Sequence, residues 1–441
     1  MSKENENFFF NVDINQFDSD ISQLNKLEEE RQARKIIMIA SESICPAPVR
    51  WALSTVFNNI YAEGYASPRM TEYERELIMD FEHMETHHRR YSDRRYYKGT
   101  EYCDYVEALA QRRICELFAT DKTPAGRIYA NVQPLSGAAA NNAVYEAFVM
   151  PGDVVMGMNL THGGHLTHGS PVNRSGRNYS VVSYEVSPVT GKLDYDRIAE
   201  LAVKHKPKLI IAGYSAYPWA PDWAKFREIA DKVGAKFLAD ISHTAGLVVT
   251  RQHPNPIDYA HAVTFTTHKT LCGPRGACIL SSDSECAEKI MMSVFPGEQG
   301  GPHIHQIAAK AICFKIAATE QFKNLMKRVR GNAEHLAKSL QKAGLPVAYG
   351  GTDTHMCLID LRKIMTPTGV TLTGEIASRI FDLCGITINK NTVPQDIYPA
   401  HPGAIRFGTT WVTQRGMYKP EMEEIACLAQ KILTNIHNFN Y

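Results

Sequence analysis

The chain has 441 residues, 48 basic against 47 acidic side chains and 44% hydrophobic residues, which permits one large or two medium globular domains. The balanced charge gives no indication of a nucleic-acid or membrane surface. No segment approaches membrane-spanning length, and the apolar run at residues 8–10 is too short for a signal sequence, so a cytosolic protein is expected. Ten cysteines without a Cys-x-x-Cys pair indicate neither a zinc ribbon nor a disulfide scaffold.

The N-terminal segment, residues 1–50, contains a charged stretch with helical patterning at 18–35. This stretch is either a solvated helix or an arm that lies on a second subunit. The sequence leaves both alternatives open and favours the solvated helix.

Short apolar runs alternate with helical segments through the middle of the chain. The predicted strands are 153–158, 179–184, 208–212, 236–239, 262–266 and 277–280, and the helical segments between them include 193–205 and 223–233. This alternation is typical of βαβ units and predicts a mostly parallel sheet. We therefore predict a large α/β domain over residues 51–315.

Helical patterning returns at residues 304–343. Beyond it we predict strands at 347–349, 356–360, 386–388 and 404–407, with helices at 373–383 and 419–435. The pattern indicates a smaller C-terminal α/β domain, residues 316–441, near the usual size of a domain.

The most informative segment, residues 264–277, places Lys269 between a polar, β-prone run and a Gly-Pro turn. Upstream, a short buried strand ends on Asp240, 269 − 240 = 29 residues earlier, which allows one further strand between the two. Pyridoxal phosphate needs an amine that holds it as a Schiff base and a carboxylate that keeps its pyridine nitrogen protonated. As a pair alone, such residues are also ordinary features of surfaces and helix caps.

The run Thr-Thr-His-Lys-Thr-Leu-x-Gly-Pro-Arg-Gly at 266–276 resembles the cofactor-lysine motif of serine hydroxymethyltransferases, and other matching blocks run from Ile39 to Gly416. The resemblance implies a fold-type I pyridoxal phosphate enzyme. Its expected reaction converts L-serine and tetrahydrofolate reversibly to glycine and 5,10-methylenetetrahydrofolate. It also implies a homodimer with shared active sites.

A turn of small residues at 136–141 precedes a helix-like segment, so its backbone amides suit a phosphate. The resemblance assigns the cofactor phosphate to Ser136, Gly137 and Ala138. It places the imidazole of His165 on the pyridine ring. Other implied cofactor contacts are Ser215, His243 and His268, together with Tyr61, Gly300 and Gly301 from the neighbouring subunit.

An amino-acid α-carboxylate is bound best by the planar fork of a guanidinium. Arg406 is the candidate, and the resemblance gives Ser41 as its helper. Glu63 matches the family's catalytic acid/base, which passes a proton while the hydroxymethyl group leaves serine. The remaining implied contacts with serine or the folate pteridine come from Tyr96, Tyr97, Leu160, Gly164, Leu166 and Asn391.

Three histidines occur within residues 161–168, which invites a metal assignment. The glycines between them suit a loop that passes closely over a ligand, and zinc is not our leading interpretation. A second pair, His83 and His87, has i, i+4 spacing but lacks the glutamate position of a zinc-protease helix. We therefore predict no metal site.

The chain departs from the family pattern in several places. Residues 66–94 form an insertion whose segment 70–90 predicts an amphipathic helix, expected near the active-site mouth or the subunit interface. Ala138 and Ser43 stand where the family often has serine and asparagine, respectively. Trp219 is also unusual. The loop at 395–402 differs from the usual segment and puts folate contacts there in doubt.

Two alternative functions remain open on the sequence. One is a folate-independent aldolase or an α-methylserine-type hydroxymethyltransferase on the same scaffold, which the altered loop favours. The other is a non-catalytic binding protein, against which the intact set Lys269, Asp240, Glu63 and Arg406 argues.

Overall fold

The computed structural model describes residues 12–67, 70, 75–83, 85–86, 94–364, 372–396 and 401–436. The strands are β1 (Ile36–Ile37), β2 (Tyr129–Asn131), β3 (Val154–Met158), β4 (Ser180–Tyr184), β5 (Leu209–Gly213), β6 (Lys236–Asp240), β7 (Ala262–Thr266), β8 (Ala277–Ser281), β9 (Met356–Asp360), β10 (Ile386–Thr387), β11 (Asn389–Asn391) and β12 (Ala404–Gly408).

The first eight helices are α1 (Ile14–Phe17), α2 (Ser19–Arg34), α3 (Ala47–Leu53), α4 (Arg75–Ile78), α5 (Glu101–Phe118), α6 (Gly137–Phe148), α7 (Arg174–Asn178) and α8 (Tyr195–His205). They are followed by α9 (Trp223–Val233), α10 (Ala245–Val249), α11 (Ser284–Met292), α12 (Ile304–Ala317), α13 (Glu320–Lys342), α14 (Gly374–Leu383), α15 (Thr410–Gln414) and α16 (Lys419–Thr434).

A seven-stranded sheet forms the centre of the molecule, in the order β2-β8-β7-β6-β5-β3-β4. The five strands from β7 to β4 pair in parallel, whereas β8 is antiparallel to both β7 and β2. Every residue of β5, β7 and β8 is buried, as expected where helices cover both faces of a sheet. The predicted α/β class with a mostly parallel sheet is confirmed.

The strand direction brings four loops to one edge of this sheet. β6 ends on Asp240, and β7 ends three residues before Lys269. β5 and β3 end shortly before Ser215 and Leu160. Because ligands of open α/β sheets bind at the carboxyl ends of the strands, this edge is where a site is expected.

Local sequence explains why the covering helices begin and end where they do. The Asp222 side chain accepts a hydrogen bond from the amide of Lys225 and caps α9. Gly234 then ends that helix with φ +70°, a conformation that glycine adopts without strain. The predicted bounds 223–233 match this helix.

A smaller antiparallel sheet, β11-β12-β9, and the pair β1-β10 lie in the C-terminal part of the chain. Their apolar residues join those of α14 and α16 in a second hydrophobic cluster. Helix α13 contributes to both clusters: Phe322 and Met326 pack with the large sheet, and Leu336 and Leu340 with the small one. The domain boundaries 1–50, 51–315 and 316–441 stay a prediction.

Lys310 of α12 is a buried lysine at the antiparallel end of the large sheet, with 1% of its surface exposed. Its ammonium donates to the carbonyl oxygens of Val132, Pro134 and Ala277 at 2.6, 3.1 and 2.9 Å. Burial lowers its pKa. The lysine thus joins the segment after β2 to the start of β8.

Outside the insertion, two predicted elements differ from the structure. The expected strand at 347–349 is a 3₁₀ turn, Ala348–Gly350, because Tyr349 has φ +58°, which no strand accommodates. The long helix expected at 304–343 is two helices. Thr319 separates them, since its side chain caps α13 by accepting from the amide of Phe322.

The insertion lies partly within the described residues. Met70 and Ile78 are buried against Tyr105 and Ala108 of α5, and the Phe81 ring stacks on Tyr105 with centroids 6.1 Å apart. The prediction of one helix over 70–90 is wrong: α4 ends at Ile78, and Met79 and Asp80 are not helical before helix resumes at Phe81. Residues 71–74, 84 and 87–90, including His87, lie outside the described residues.

Helix α2 buries none of its side chains, so both alternatives for it, solvated helix and intersubunit arm, stay open. Over the ranges given above, no helix combines the length and the apolar character needed to cross a bilayer.

Candidate active site

Asp240 lies at the centre of a buried hydrogen-bond network. Its Oδ2 accepts from Asn141 Nδ2 at 2.8 Å and lies 3.0 Å from His168 Nε2, and its Oδ1 accepts from the amide of Ser242 at 3.0 Å. Burial would raise the pKa of this carboxyl, but hydrogen bonding to His168 and Asn141 holds it well below the ordinary value. Asp240 is therefore an ionised carboxylate inside the protein.

Lys269 follows β7 on a tight turn, where its carbonyl accepts from the amide of Cys272 at 2.9 Å. The side chain is half-buried. Burial lowers its pKa from the ordinary 10.5 to about 8, although the charge of Asp240 opposes this shift. A lysine with such a pKa holds a substantial fraction of neutral, nucleophilic amine near neutral pH.

Both residues line one cavity of about 300 Å³, here called the Lys269 cavity. The structure brings nine of the predicted site residues to its wall: Ser136, Gly137, Ala138, His165, Ser215, Asp240, His243, His268 and Lys269. Their side chains come from loops at the carboxyl ends of different strands. Their individual roles stay predictions.

The N-terminus of α6 opens onto this cavity. Ser136 caps the helix by accepting from the amide of Ala139 at 3.3 Å, and Ala138 is exposed. A Cβ on Gly137 would lie 2.8 Å from Thr266 Cγ2, so only glycine fits there. The amides of this helix end, the amine of Lys269 and the carboxylate of Asp240 together fit the phosphate, aldehyde and ring nitrogen of pyridoxal phosphate.

His165 stands between the Lys269 cavity and a larger neighbour. Its Nδ1 lies 2.7 Å from Thr167 Oγ1, and burial lowers its pKa to about 4. The ring is therefore neutral at physiological pH and suits contact with an aromatic ligand.

The larger cavity, about 1060 Å³, is called the outer cavity here and shares His165 and His168 with the Lys269 cavity. Leu160 and Leu166 line it. Gly164 does not line it; it packs against the end of β3, where a Cβ would lie 2.2 Å from the carbonyl oxygen of Met158.

Asn391 is half-buried on β11 and donates to the carbonyl of Thr392 at 2.9 Å. It stands two residues before Val393, which lines the outer cavity. The structure thus places Asn391 beside that cavity rather than on its wall.

Arg406 lies on β12, buried, and donates to Asn389 Oδ1 at 3.1 Å and to the carbonyl of Ser215. Burial lowers its pKa to about 10. Its charge adds to burial in lowering the pKa of both Lys269 and His243, which places the guanidinium close to the Lys269 cavity.

Ser41 follows Ala40, whose Cα would lie 2.3 Å from a Cβ on Gly408. The carbonyl of Ala40 also accepts from His355 Nε2 at 3.1 Å. These contacts place Ser41 at the end of the strand that carries Arg406.

The six predicted residues that remain line neither of the two cavities. We call them the Glu63 surface: Tyr61, Glu63, Tyr96, Tyr97, Gly300 and Gly301. The rings of Tyr61 and Tyr97 are 4.9 Å apart, and a Cβ on Gly301 would lie 3.0 Å from Tyr61 Cε1. Tyr61 is 57% and Tyr96 77% exposed.

The sequence assigns no role to four residues that the structure places in or beside the Lys269 cavity: Asn141, His168, Arg275 and His355. Asn141 lies one turn after Gly137 on α6, and His168 follows His165 on one loop, so their spacing was available as a signal. His355 Nε2 lies 3.4 Å from His243 Nδ1 across 112 residues, a contact without any local sequence signal.

Comparison with known families gives one finding. A family model described as serine hydroxymethyltransferase matches residues 14–86 and 78–429 of the chain. The matched stretches include every residue of the Lys269 cavity and of the Glu63 surface.

Proposed function

The chain belongs to the serine hydroxymethyltransferase family, whose members are pyridoxal phosphate enzymes of serine and glycine interconversion, and on this premise we propose that its one-carbon acceptor is tetrahydrofolate. The observation that carries the proposal is the outer cavity. Its volume of about 1060 Å³ suits a ligand much larger than an amino acid, and it meets the Lys269 cavity at His165 and His168. Leu160 and Leu166 offer it apolar surface.

Asp240 and Lys269 of the Lys269 cavity have distinct proposed tasks. When bound, pyridoxal phosphate supplies an aldehyde and a ring that accepts electrons from the substrate Cα. Asp240 keeps a proton at the ring nitrogen because its carboxylate is ionised and fixed by Asn141 and His168. Lys269 would hold the cofactor aldehyde, because its lowered pKa of about 8 leaves part of the amine neutral near neutral pH.

Arg406 orients the amino-acid substrate. Its guanidinium is already held at Nε by Asn389 and by the Ser215 carbonyl, so the remaining N–H groups are available to a carboxylate at little entropic cost. Fixing the carboxylate fixes which bond at Cα stands perpendicular to the cofactor ring. Ser41, near the end of the same strand, assists this binding.

Glu63 is the proposed acid/base, and it acts across a subunit interface. The tyrosines of the Glu63 surface are exposed in one chain, and none of its six residues lines that chain's own Lys269 cavity, which supports a homodimer whose shared sites each combine a Lys269 cavity with the partner's Glu63 surface. Tyr61, Gly300 and Gly301 then meet the cofactor phosphate, and Tyr96 and Tyr97 the substrate.

The folate-independent alternative also has an observation in its favour. Val393, Gln395 and Asp396, at the start of the altered loop, line the outer cavity, while residues 397–400 lie outside the described residues. Asp396 pins both ends of the loop, accepting from the amides of Val393 and Gly403 at 3.0 and 2.9 Å. An unusual loop at this wall bears directly on which acceptor enters.

The test measures glycine formed from serine by the cofactor-loaded protein, with and without tetrahydrofolate. We expect turnover that depends on tetrahydrofolate and saturates with it. Cleavage of serine or another β-hydroxy amino acid at the same rate without folate would establish the aldolase instead. Transfer confined to α-methylserine would identify the variant transferase, and ligand binding without any turnover the non-catalytic protein.

A further inference from the structure

Arg95 is a guanidinium buried beneath the loop that carries Glu63. Only 2% of its surface is exposed. It pairs with two carboxylates of helix α5, Asp104 and, through Nη2 at 2.5 Å, Glu107. Burying a charge costs free energy unless oppositely charged groups bind it. Arg95, Asp104 and Glu107, here called the triad, therefore hold one another in place.

The same guanidinium also forms hydrogen bonds with the backbone of the loop that carries Glu63. Its Nη1 donates to the carbonyl oxygens of Ala62 at 2.7 Å and Gly64 at 3.1 Å, the two neighbours of Glu63. The carbonyl of Glu63 itself accepts from the amide of Tyr96 at 3.1 Å. Three consecutive carbonyls are thus fixed by Arg95 and the residue after it.

Two further contacts lock this arrangement. Gln133 Nε2 donates to the Gly64 carbonyl and to Glu107 Oε1, both at 2.9 Å, which ties the loop and the triad together. Gly64 has φ +102°, and a Cβ there would lie 2.4 Å from the carbonyl oxygen of Arg94, so the turn is sterically restricted to glycine.

We propose that Arg95, held by Asp104 and Glu107, is a positioning residue that sets the Glu63 carboxylate for proton transfer at the active site. The inference rests on the proposed acid/base role of Glu63. Arginine is required because one planar group must donate to two carbonyls and two carboxylates at once, whereas a lysine ammonium has three donors and no fork. Proton transfer tolerates little displacement, so loosening the loop acts on the chemical step.

A double-mutant cycle on serine turnover tests this. Glu63→Gln alone is expected to lower kcat by on the order of 10²-fold or more. Arg95→Lys is expected to lower kcat by roughly 10- to 100-fold, with the KM for serine nearly unchanged and the visible absorption of the bound cofactor retained. The double variant is expected to be no slower than Glu63→Gln, because a positioning residue has nothing left to position.

Three results would overturn the inference: Arg95→Lys with full kcat, losses that multiply in the double variant, or a loss of Arg95→Lys activity that follows only its melting temperature. If Glu63→Gln keeps full turnover, the acid/base assignment itself is wrong, which is a separate outcome. Arg227→Lys is the matched control, since Arg227 also binds a carboxylate, Asp231, and a backbone carbonyl, that of Tyr259, without touching the Glu63 loop.

Should Arg95→Lys fail to fold, Gln133→Met replaces it in the cycle. That change removes one hydrogen bond to the Gly64 carbonyl and one to Glu107 while leaving the ion pairs in place. A smaller loss of kcat, again absent when Glu63 is already glutamine, is expected. Additive losses would contradict the inference here too.

Discussion

The Lys269 cavity and the Glu63 surface differ in where their functional groups find partners. Asp240 in the cavity and Arg406 beside it are hydrogen-bonded by side chains and a backbone carbonyl of the same chain. On the Glu63 surface the backbone is fixed by Arg95, but Tyr61 and Tyr96 expose more than half of their area. The polar groups of the first region are thus bound within one chain, whereas aromatic rings of the second remain exposed.

The difference teaches that rigidity and completeness are separate properties of a site. Burial lowers the pKa of Lys269 and His165, and hydrogen bonds lower that of Asp240, so groups of one chain set these pKa values. The Glu63 surface is equally well held from beneath, yet its function depends on what covers it. The two regions therefore predict different responses to mutation.

The largest expected effect is at the centre of the cavity. Lys269→Ala removes the amine that accepts and returns the cofactor, and we expect serine turnover to fall by roughly 10³-fold or more. Lys289→Ala, an exposed lysine paired with Glu285, serves as the control and should leave turnover unchanged. Comparable activity in both variants would remove Lys269 from the mechanism.

The next prediction joins the two regions. We expect Lys269→Ala and Glu63→Gln, each nearly inactive alone, to regain about a quarter of wild-type activity when mixed at equal amounts with subunit exchange. About half of the dimers are then hybrids, and each hybrid holds one site with both residues intact. Native mass spectrometry counts the hybrids, and hybrids without activity would show that each chain uses its own Glu63.

The pH dependence of cofactor loading sharpens the picture of the cavity. Neutral amine attacks the aldehyde, and its fraction rises with pH through the Lys269 pKa of about 8. We expect the loading rate of the apoprotein to rise about tenfold from pH 7 to pH 9 and then level off. A rate that still climbs steeply above pH 10 would mean that burial leaves this lysine at its ordinary pKa.

The smallest effect is expected at the N-terminus of α6, where we propose that the cofactor phosphate binds. Ala138 is exposed at the start of α6, so Ala138→Ser adds a hydroxyl where the family often has one. One added hydrogen bond of about 1 kcal/mol should tighten pyridoxal phosphate binding about fivefold, measured by equilibrium titration. Ala147→Ser near the other end of α6 should not change it, and equal affinity in both variants would argue against a phosphate at this position.

Local patterns predicted most of the large sheet correctly. The strands and the helix at 223–233 were found because apolar runs, capping residues and glycines carry their signal within a few positions. The turn at 348–350 was missed because the positive φ of Tyr349 depends on its surroundings. Its hydroxyl donates to the carbonyl of His162, 187 residues away.

The residues of the candidate site also include some that the sequence predicts and others that it does not. Residues such as Lys269 and Asp240 could be predicted from one motif and one strand end. The spacing of Asn141 from Gly137 and of His168 from His165 could have placed both near the cavity, but their hydrogen bonds with Asp240, across 99 and 72 residues, could not be predicted. The hydrogen bonds from Arg95 to the Glu63 loop likewise span the insertion, and local spacing does not indicate them.

The ammonium of Lys310 has one more consequence. Because three backbone carbonyls surround it and almost none of its surface is exposed, an amine-reactive reagent reaches it only after α12 and the segments that carry these carbonyls move apart. Exposed lysines on the same chain are labelled at once. The labelling rate of Lys310 therefore measures how often this end of the sheet opens.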